Sequence, residues 1–407
     1  ALLGDGVSVE AFFEYLPTPP PSSEVKKAID TLKLIGAMHE DEKLSDLGMH
    51  LLDFAIDPKW AKALLYAVVF KCLDPILTVA AYMSYNDAFI SQSHPQFRLV
   101  ATTRKLELAG ETFSDHMAIL KAFQKWESEK ATHAKNAQEF CDHNFISAST
   151  LDVVYGIRAR LLGQLRASGF IRNKGIHNVK DVNVNSNNWA VVKAVLTVAL
   201  YPNICTVNRV GRFVFDRENP EMYFHQSSIL SSQNYDFLKN LPSDWVVYNE
   251  KVKLLNKIWI KGCTVVNTAT VALLAGDLSP RSSVTSLVTP LVHGTGFTFS
   301  EIDRRACSPH ESKVCFSVDD WIRMFSFDPA IIGLFTLRDR IREIVLSRLK
   351  RPELFPSKVD LEVIDTMVRV LTIEDARVGL KQSSVGQWPK LVAGDLLSVP
   401  RSGFAAE

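Results

Sequence analysis

The sequence predicts a multidomain protein of the α + β class, in which a helical first half precedes a small β-barrel and a helical C-terminal extension. The chain has 407 residues, enough for two or three domains. Apolar residues recur at helical spacing over roughly the first 170 residues. From residue 204 onward they fall in short β-branched or aromatic runs separated by polar turns, a pattern typical of antiparallel strands.

The first clear helical pattern lies in SSEVKKAIDTLKLIGAM, residues 22–38. The residues that it places on one face are Val25, Ile29, Leu32 and Ile35. Gly36 follows directly and predicts the end of the helix, because glycine readily adopts the left-handed conformation that closes one.

Aspartate–proline pairs and capping residues predict further helix ends. Asp57–Pro58 and Asp74–Pro75 each place a carboxylate that can cap a helix before a proline suited to its first position. Thr150 is predicted to begin a later helix and Gly169 to end it. These signals predict a succession of core helices.

Five short runs predict the strands of the barrel: ICTVNR, RFVFD, MYFH, DWVVYNE and IWIKGCTVV. A helix in VVKAVLTVAL precedes them. Residues 276–315 are rich in Ser, Thr and Gly and predict a long mobile loop. Helical patterns return in DDWIRMF and in residues 331–349, whereas residues 379–407 predict a frayed tail.

Composition favours a soluble intracellular protein, with 47% hydrophobic and 22% charged residues and a net charge of +1. The six cysteines form no CxxC pair, which favours reduced thiols and a cytoplasmic location, with the nucleus as a further one. The N-terminus has no visible secretory signal. Lys71 and Asp74–Pro75 interrupt the most apolar stretch, residues 61–85, so it predicts two core helices and no membrane partner.

Motifs for nucleotide hydrolysis and for several other kinds of catalysis are missing. The sequence contains no GxxxxGKS/T, GxSxG, HExxH or GxGxxG motif, so we expect no catalytic residue and no cofactor in this chain. The best candidate metal site is Cys307, His310 and Cys315, with His293 as a fourth ligand for zinc. Its irregular C-x2-H-x4-C spacing leaves exposed loop residues as the alternative.

Ser114, Asp115 and His116 stand together at the start of an apolar helical pattern. Ser114 is a good N-cap, and Asp115 would lie in the first turn, where the helix dipole favours a carboxylate. The same position offers free backbone N–H groups, a hydroxyl and an imidazole, which together can hold a phosphate. Spacing alone leaves both the cap and the phosphate site open.

Basic residues favour an anionic partner at two places in the helical half. Arg158 and Arg166 fall within about 80° of each other on a helical wheel. Arginine on a partly apolar helix can equally cover the edge of a core or pair with carboxylates. Arg104 and Lys105 form a smaller cluster, for which a solvated helix face is the alternative.

The predicted barrel carries a second group of candidates. His225 and Ser227 lie at a strand end or turn in YFHQSSIL. Lys257 belongs to a run of four lysines that is interleaved with Tyr248 and Trp259. Small barrels use such surfaces for single-stranded nucleic acid, and ordinary strand alternation gives the same pattern.

The order of FSDHMAILKAF, CLDPILTVA, GIRARLLGQLRASGF, FHQSSIL and PSDWVVYNE resembles the C-terminal half of DEAH-box RNA helicases, within them the RNA-helicase-A-type branch. The resemblance runs from about residue 7 to about residue 390. LLGQLRASGF followed by DVNVNSNNWAVVKAVL resembles the germline helicases that carry a YTH domain, with the insect benign gonial cell neoplasm group as the alternative.

The resemblance implies a domain order. It places a winged helix at 1–56, a ratchet-like HA2 domain at 57–175, an OB-fold at 176–275, a flexible insert at 276–316, a helical extension at 317–378 and a tail at 379–407. It also implies that RecA-like motor lobes, which bind ATP and Mg²⁺, precede this region in a parent chain. A first residue other than Met agrees with that expectation.

The resemblance further implies an auxiliary RNA-binding module of an ATP-dependent 3′-to-5′ RNA helicase. RNA would pass between the motor lobes and these domains, so the SDH triplet and the HQSS turn are expected to face single-stranded RNA. The residues expected to contact it are Arg104, Lys105, Ser114, Asp115, His116, Arg158, Arg166, His225, Ser227 and Lys257.

The sequence departs from the family pattern at two places. Gln226 stands where the family usually has proline, and KLLNKIWIK replaces the usual polar–Tyr–Met stretch, which alters the loop nearest RNA. The alternative function is a non-catalytic scaffold of a helicase-like germline translational regulator. It would bind a regulatory protein on the OB-fold or on the C-terminal extension, where Trp321, Phe325, Phe327 and Phe335 could form a docking surface or pack on the OB-fold.

Overall fold

Nine helices cover the first part of the structure, a computed structural model that describes residues 8–171, 180–231, 238–276, 314–318, 321–326 and 331–382. They are α1 (Val9–Glu14), α2 (Ser22–Ile35), α3 (Asp46–Leu51), α4 (Pro58–Val69), α5 (Leu73–Met83), α6 (Pro95–Ala109), α7 (Asp115–Thr132), α8 (Ala134–His143) and α9 (Ala148–Ala167). The predicted face of α2 is confirmed, since Val25, Ile29 and Ile35 are buried. Gly36 ends that helix with a φ of 84°, as its position predicts.

The two aspartate–proline pairs have different roles. Asp57 caps α4 as predicted, because its carboxylate accepts a 3.0 Å hydrogen bond from the backbone N–H of Lys59 and Pro58 is the first helical residue. The capping prediction for Asp74 is wrong. Helix α5 already begins at Leu73, so the Asp74 carboxylate lies within the first turn and binds Arg158 of α9.

The start of α9 also differs from the prediction. Ser147 caps this helix by accepting the backbone N–H of Thr150 at 3.2 Å, so Thr150 is the third helical residue and not the cap. The other end is as predicted. The helix stops at Ala167, and Gly169 follows with a φ of 79°.

All five predicted strands form one antiparallel-dominated sheet. They are β1 (Ile204–Asn208), β2 (Phe213–Phe215), β3 (Tyr223–Phe224), β4 (Trp245–Leu254) and β5 (Lys257–Val266), in the order β2-β1-β4-β5-β3. Strand β3 runs parallel to β5, with Tyr223 opposite Trp259. Met222 and Val214 exchange backbone hydrogen bonds of 2.7 and 2.9 Å, which joins the two edges of the sheet and closes it into a barrel. This connectivity is that of a five-stranded OB-type barrel.

A glycine bends the longest hairpin of the barrel. Gly262 in β5 has a φ of 64°, and a Cβ atom there would lie 2.8 Å from the Cβ of Asn249 on β4. Any other residue would therefore be strained as well as crowded. Strand β5 pairs with β4 on both sides of this glycine.

Helix α10 (Trp189–Leu200) joins the helical half to the barrel. All 12 of its residues are buried, as expected for a helix that is apolar on nearly every side. It packs against α4, α5, β4 and β5, and also against α11 (Thr268–Leu274) and α13 (Lys358–Arg377). The two halves of the described chain therefore share one core around α10.

One charged residue of α10 is buried with a partner. Lys193 Nζ lies 2.7 Å from Asp375 Oδ2 of α13, and both side chains are fully buried. Asp375 also accepts a 2.7 Å hydrogen bond from Asn267, the N-cap of α11. Burial lowers the pKa of Lys193 and the Asp375 carboxylate opposes that shift. This contact fixes three helices relative to each other.

The C-terminal region contains a hairpin of β6 (Val314–Val318) and β7 (Ile322–Ser326), followed by α12 (Ile331–Lys350) and α13. The helix at 331–349 is confirmed. The helical prediction for DDWIRMF is wrong, because Ile322–Ser326 pairs antiparallel with Val314–Val318 and a run of five residues is too short for its period to separate strand from helix.

Part of the predicted tail is held in place. Leu380 is buried with the core of the barrel, and Gln382 accepts the backbone N–H of Trp189 at 3.1 Å. The frayed tail is therefore wrong for residues 379–382, and residues 383–407 lie outside the described chain. Within the described residues, no helix is long and apolar enough to cross a bilayer.

Candidate nucleic-acid interface

The SDH triplet lies where the first turn of α7 meets the wall of the barrel. Ser114 caps α7 as predicted, accepting the N–H of Met117 at 3.1 Å. Its Oγ lies 2.5 Å from Oγ1 of Thr264 in β5, and His116 Nδ1 lies 2.8 Å from the same hydroxyl. All three side chains are fully buried. The cap thus also bonds the helical half to the barrel.

Asp115 makes the most extensive polar contact of this junction. Its carboxylate accepts hydrogen bonds from Ser228 Oγ at 2.6 Å, from the N–H of Ile229 at 2.9 Å and from the N–H of Cys263 at 2.8 Å. Lys105 Nζ of α6 lies 3.6 Å away. Because Asp115 is 2% exposed, these contacts replace the water that a surface carboxylate would bind.

His116 is neutral in this environment. Burial lowers its pKa from 6.5 to about 4, while Asp115 acts against that shift and the cations of Lys105 and Lys59 add to it. Among the described residues, its Nε2 has no hydrogen-bond partner. The ring also packs near Trp60, with 5.9 Å between the ring centroids. The imidazole therefore completes a buried contact.

The junction has an outer side, which is a cleft of about 180 Å³ between α6, the loop at 87–92 and the turn that follows β3. The side chains and backbone that line it include those of Arg98, Lys105, Asn144, His225, Gln226 and Ser227. Lys105 donates to the carbonyl oxygen of Ser227 at 2.7 Å. His225 Nδ1 lies 2.8 Å from Ser227 Oγ. Partial burial lowers the pKa of His225, and Lys261 and Lys105 contribute to that shift.

The outer face of the barrel continues from this cleft. Tyr223 precedes His225 by two residues, and its ring lies 5.6 Å from that of Trp259 on the adjacent strand. Lys257 Nζ lies 4.7 Å from the centroid of the Tyr223 ring. Both rings are partly exposed and Lys257 is exposed.

The predicted arginines on α9 do not reach this cleft. Arg158 is 3% exposed, and its guanidinium lies 2.5 Å from Asp74 and 3.8 Å from Glu127. Burial raises the pKa values of both carboxyl groups and Arg158 opposes the shifts. Arg166 is half-buried in the last turn of α9. Arg158 is therefore an ion-pair partner within the helical core. Its guanidinium is too deeply buried to make the expected contact with RNA.

The structure thus separates the ten predicted residues into three groups. Lys105, His225 and Ser227 share the cleft, and Lys257 lies on the adjoining barrel face. Ser114, Asp115 and His116 lie beneath it, and Arg158 lies in the helical core, all four buried. Arg104 pairs with Glu107 on α6 at 2.9 Å, and Arg166 stands apart.

Sequence reasoning missed the barrel side of the junction and one cation of the cleft. Thr264 and Ser228 form hydrogen bonds to residues more than a hundred positions away in the chain. No local pattern in a single sequence predicts such contacts. Arg98 lines the cleft beside Lys105. Its position was predictable from the sequence, because Arg98 precedes Lys105 by seven residues and helical residues at that spacing lie on the same face.

Other predicted features carry little functional information. His293, Cys307 and His310 lie outside the described chain, and Cys315 is placed in β6 opposite Phe325. No group of three or more metal-binding side chains occurs among the described residues. Phe335 is 3% exposed and Trp321 packs against the same core, whereas Phe327 lies outside the described residues.

Comparison with known proteins agrees with this architecture. A ratchet-like helicase associated domain (HA2) matches residues 57–149, and an oligonucleotide/oligosaccharide-binding (OB) fold matches residues 192–278. The chain is 30% identical over 274 residues to the mouse ATP-dependent DNA/RNA helicase DHX36, covering 66% of this chain and 26% of the relative. It is 32% identical over 278 residues to the Arabidopsis thaliana DExH-box ATP-dependent RNA helicase DExH1, covering 68% and 27%.

These matches define what the chain contains. It spans about a quarter of the length of these curated relatives. The matched segments include the helices α4 to α8 and the closed barrel, and their order along the chain is the order that the sequence predicts. The chain therefore carries the ratchet-like HA2 domain and the OB-fold of the C-terminal region of DEAH-box RNA helicases.

Proposed function

We propose that this chain is the auxiliary C-terminal module of an ATP-dependent 3′-to-5′ RNA helicase and that it contacts the backbone of single-stranded RNA. The observation that carries the proposal is the cleft at the HA2–OB junction, where Arg98, Lys105 and His225 converge with the Ser227 hydroxyl. Cations and hydroxyls at the mouth of a small barrel suit a phosphate chain. The names of the relatives, which are helicases, agree with this function.

The domain boundaries given above belong to the same proposal, including the winged helix at 1–56. So do the RecA-like motor lobes, which would bind ATP and Mg²⁺ and would couple hydrolysis to movement along RNA. Exposed apolar residues on more than one side of α6 support a partner of this kind. Phe97, Leu99, Val100 and Leu106 are 45–58% exposed. Four large apolar side chains on one helix favour cover by another protein surface.

The test is the anisotropy of a labelled single-stranded RNA of about twelve nucleotides, titrated with the whole chain. We expect saturable binding at about 50 mM salt that weakens at least about tenfold at about 200 mM, because bound cations release counterions from the phosphates. Arg98→Glu and Lys257→Glu should each weaken binding and lower the dependence on salt.

The matched control is Lys27→Glu on α2, which makes the same change of charge on an exposed residue outside the cleft. It should bind RNA like the unchanged chain. Absence of saturable binding at low salt would contradict the proposal for this chain. Equal losses of RNA affinity in Lys27→Glu and Arg98→Glu would show that net charge causes the loss and that the cleft is not the binding site.

A finer placement is proposed as well, within the germline helicases of the RNA-helicase-A-type branch. It is supported by LLGQLRASGF followed by DVNVNSNNWAVVKAVL at residues 161–196. A cytoplasmic location, with the nucleus as a further one, accompanies it. The sequence of the parent gene tests it, since motor motifs upstream and a YTH domain are expected there, and their absence would contradict it.

A second function, a protein-binding scaffold, is favoured by a different surface. A cleft of about 740 Å³ lies between the ends of α4 and α9 and the helices α12 and α13. Leu354, Phe355 and Val359 beside it are 49–66% exposed. If the chain serves proteins alone, Arg98→Glu and Lys257→Glu will leave RNA affinity unchanged, whereas Phe355→Asp will abolish binding of a regulatory partner.

A further inference from the structure

The outer face of β3 and β5 presents an aromatic pair, Tyr223 and Trp259, beside the exposed Lys257. Tyr223 and Trp259 lie opposite each other in the parallel register, with an interplanar angle of 42° between their rings. Lys257 lies two residues before Trp259 and stands over the Tyr223 ring. Within the described residues, Lys257 forms no ion pair, in contrast to Lys251, which is held by Asp216 at 2.8 Å.

These rings are not needed to fill the barrel. Alternation along the strands directs Phe224 and Ile260 inward, where they are buried in the barrel core, and directs Tyr223 and Trp259 outward. Tyr223 and Trp259 therefore lie partly exposed on the outer surface, where a flat, apolar ligand can contact their rings. A nucleobase is such a ligand, because each base offers a π-face regardless of its identity.

The pair is continuous with the cleft. His225 follows Tyr223 by two residues on the same strand face, and its backbone N–H donates to the carbonyl oxygen of Ile260 at 2.9 Å. Lys261, two residues after Trp259 on the same face, is close enough to lower the pKa of His225. The aromatic pair lies two residues along the barrel strand from the cleft, a distance of about 7 Å. An RNA strand whose phosphates lie in the cleft would thus reach the pair.

We infer that Trp259 and Tyr223 form a stacking platform for one unpaired nucleobase, with Lys257 contacting the adjacent phosphate. This inference rests on the proposed function and adds to it a base-contacting subsite of no sequence preference. The platform would hold the strand by its base while the cleft holds it by its phosphates.

Two substitutions at one position test the platform without removing the apolar cover. Trp259→Leu keeps an apolar side chain and loses the aromatic face, whereas Trp259→Phe keeps a smaller one. With a single-stranded RNA of about twelve nucleotides, Trp259→Leu should weaken binding about tenfold and Trp259→Phe about threefold or less. Melting temperatures of both variants establish that they fold alike.

A second ligand separates stacking from charge. On a strand of equal length that carries no bases, Trp259→Leu should bind within about twofold of the unchanged chain, since nothing remains to stack. Lys257→Gln should lose affinity for both strands alike and lower the salt slope by about one, as expected for one phosphate contact.

The outcomes distinguish this inference from the proposed function. If the unchanged chain binds RNA but Trp259→Leu binds it equally well, the platform is overturned and the RNA module stands. If Trp259→Leu weakens the two strands by the same factor, the loss is not due to stacking and the platform is again overturned. If the unchanged chain does not bind RNA at low salt, both fall.

Discussion

The turn from His225 to Ile229 has two sides that use similar residues for different purposes. On the inner side, Ser228 and the backbone of Ile229 donate to the buried Asp115. On the outer side, Ser227 and His225 bond to each other at the edge of the open cleft. Neighbouring serines thus belong to a buried junction and to a candidate binding surface.

The difference follows from what replaces water. Buried polar groups cost free energy unless protein atoms satisfy them, so the hydrogen bonds of the inner side contribute to the stability of the fold. The outer side stays hydrated and can exchange water for a ligand. Substitutions on the inner side should therefore change stability first, whereas substitutions on the outer side should change binding with little effect on stability.

Arg158→Glu should give the largest loss of stability. It removes the partner of Asp74 and Glu127 and adds a third carboxylate among them, where breaking a buried pair costs about 4 kcal/mol. Arg166→Glu, the same change on a half-buried residue of the same helix, should cost about 1 kcal/mol or less. Urea denaturation measures both. Equal costs would contradict the buried position of Arg158.

Asp115→Asn should give the next largest loss of stability. The amide keeps one acceptor oxygen but turns an NH2 group toward the donors of Ser228 and Cys263, so a loss of about 3 kcal/mol is expected. Asp365→Asn on the exposed face of α13 is the control and should cost less than about 0.5 kcal/mol. Hydrogen exchange of the Ile229 and Cys263 amides should rise in Asp115→Asn alone, and unchanged exchange would contradict the junction.

Local signals in the sequence were sufficient for much of this fold. The face of α2, the Asp57 cap, the Ser114 cap and the five strands all depend on residues within about one turn or one strand of each other. Their outcome needed no knowledge of tertiary contacts. The same holds for the end of α9 at Gly169.

The misses have tertiary causes, and one had a readable signal. Arg158 is four residues from Val154 and from Leu162, and seven from Leu151 and from Leu165, so it lies in the middle of the buried stripe of α9. That position favoured a core ion pair over a surface contact. No comparable local signal predicts the role of Asp74, because that role depends on Arg158, 84 residues away.

Acidification should lower the stability of the folded chain through His116. The folded pKa of His116 is about 4, below its ordinary 6.5, so the unfolded chain binds a proton in this range that the folded chain does not. Stability is therefore lost as the pH falls from 6.5 toward 4, by about 2 kcal/mol at pH 5 for this residue.

The measurement for His116 is urea denaturation at pH 8 and pH 5 for the unchanged chain and for His116→Asn. Asparagine can still bond Thr264 but does not titrate, so the difference between the two pH slopes belongs to His116. Identical slopes would show that the imidazole is not held neutral.

Ser228→Ala and Ser227→Ala make the smallest and most direct comparison, since they change adjacent residues by one oxygen each. Ser228→Ala removes a donor from a buried carboxylate and should cost about 1.5 kcal/mol of stability. Ser227→Ala should cost less than about 0.5 kcal/mol, because its hydroxyl lies at the surface and water can replace it. RNA affinity should respond in the opposite sense, with Ser227→Ala about threefold weaker if its hydroxyl donates to a phosphate. Denaturation and RNA anisotropy of the two variants measure these effects. A loss of stability in Ser227→Ala as large as that in Ser228→Ala would mean that both sides of the turn serve the fold alone.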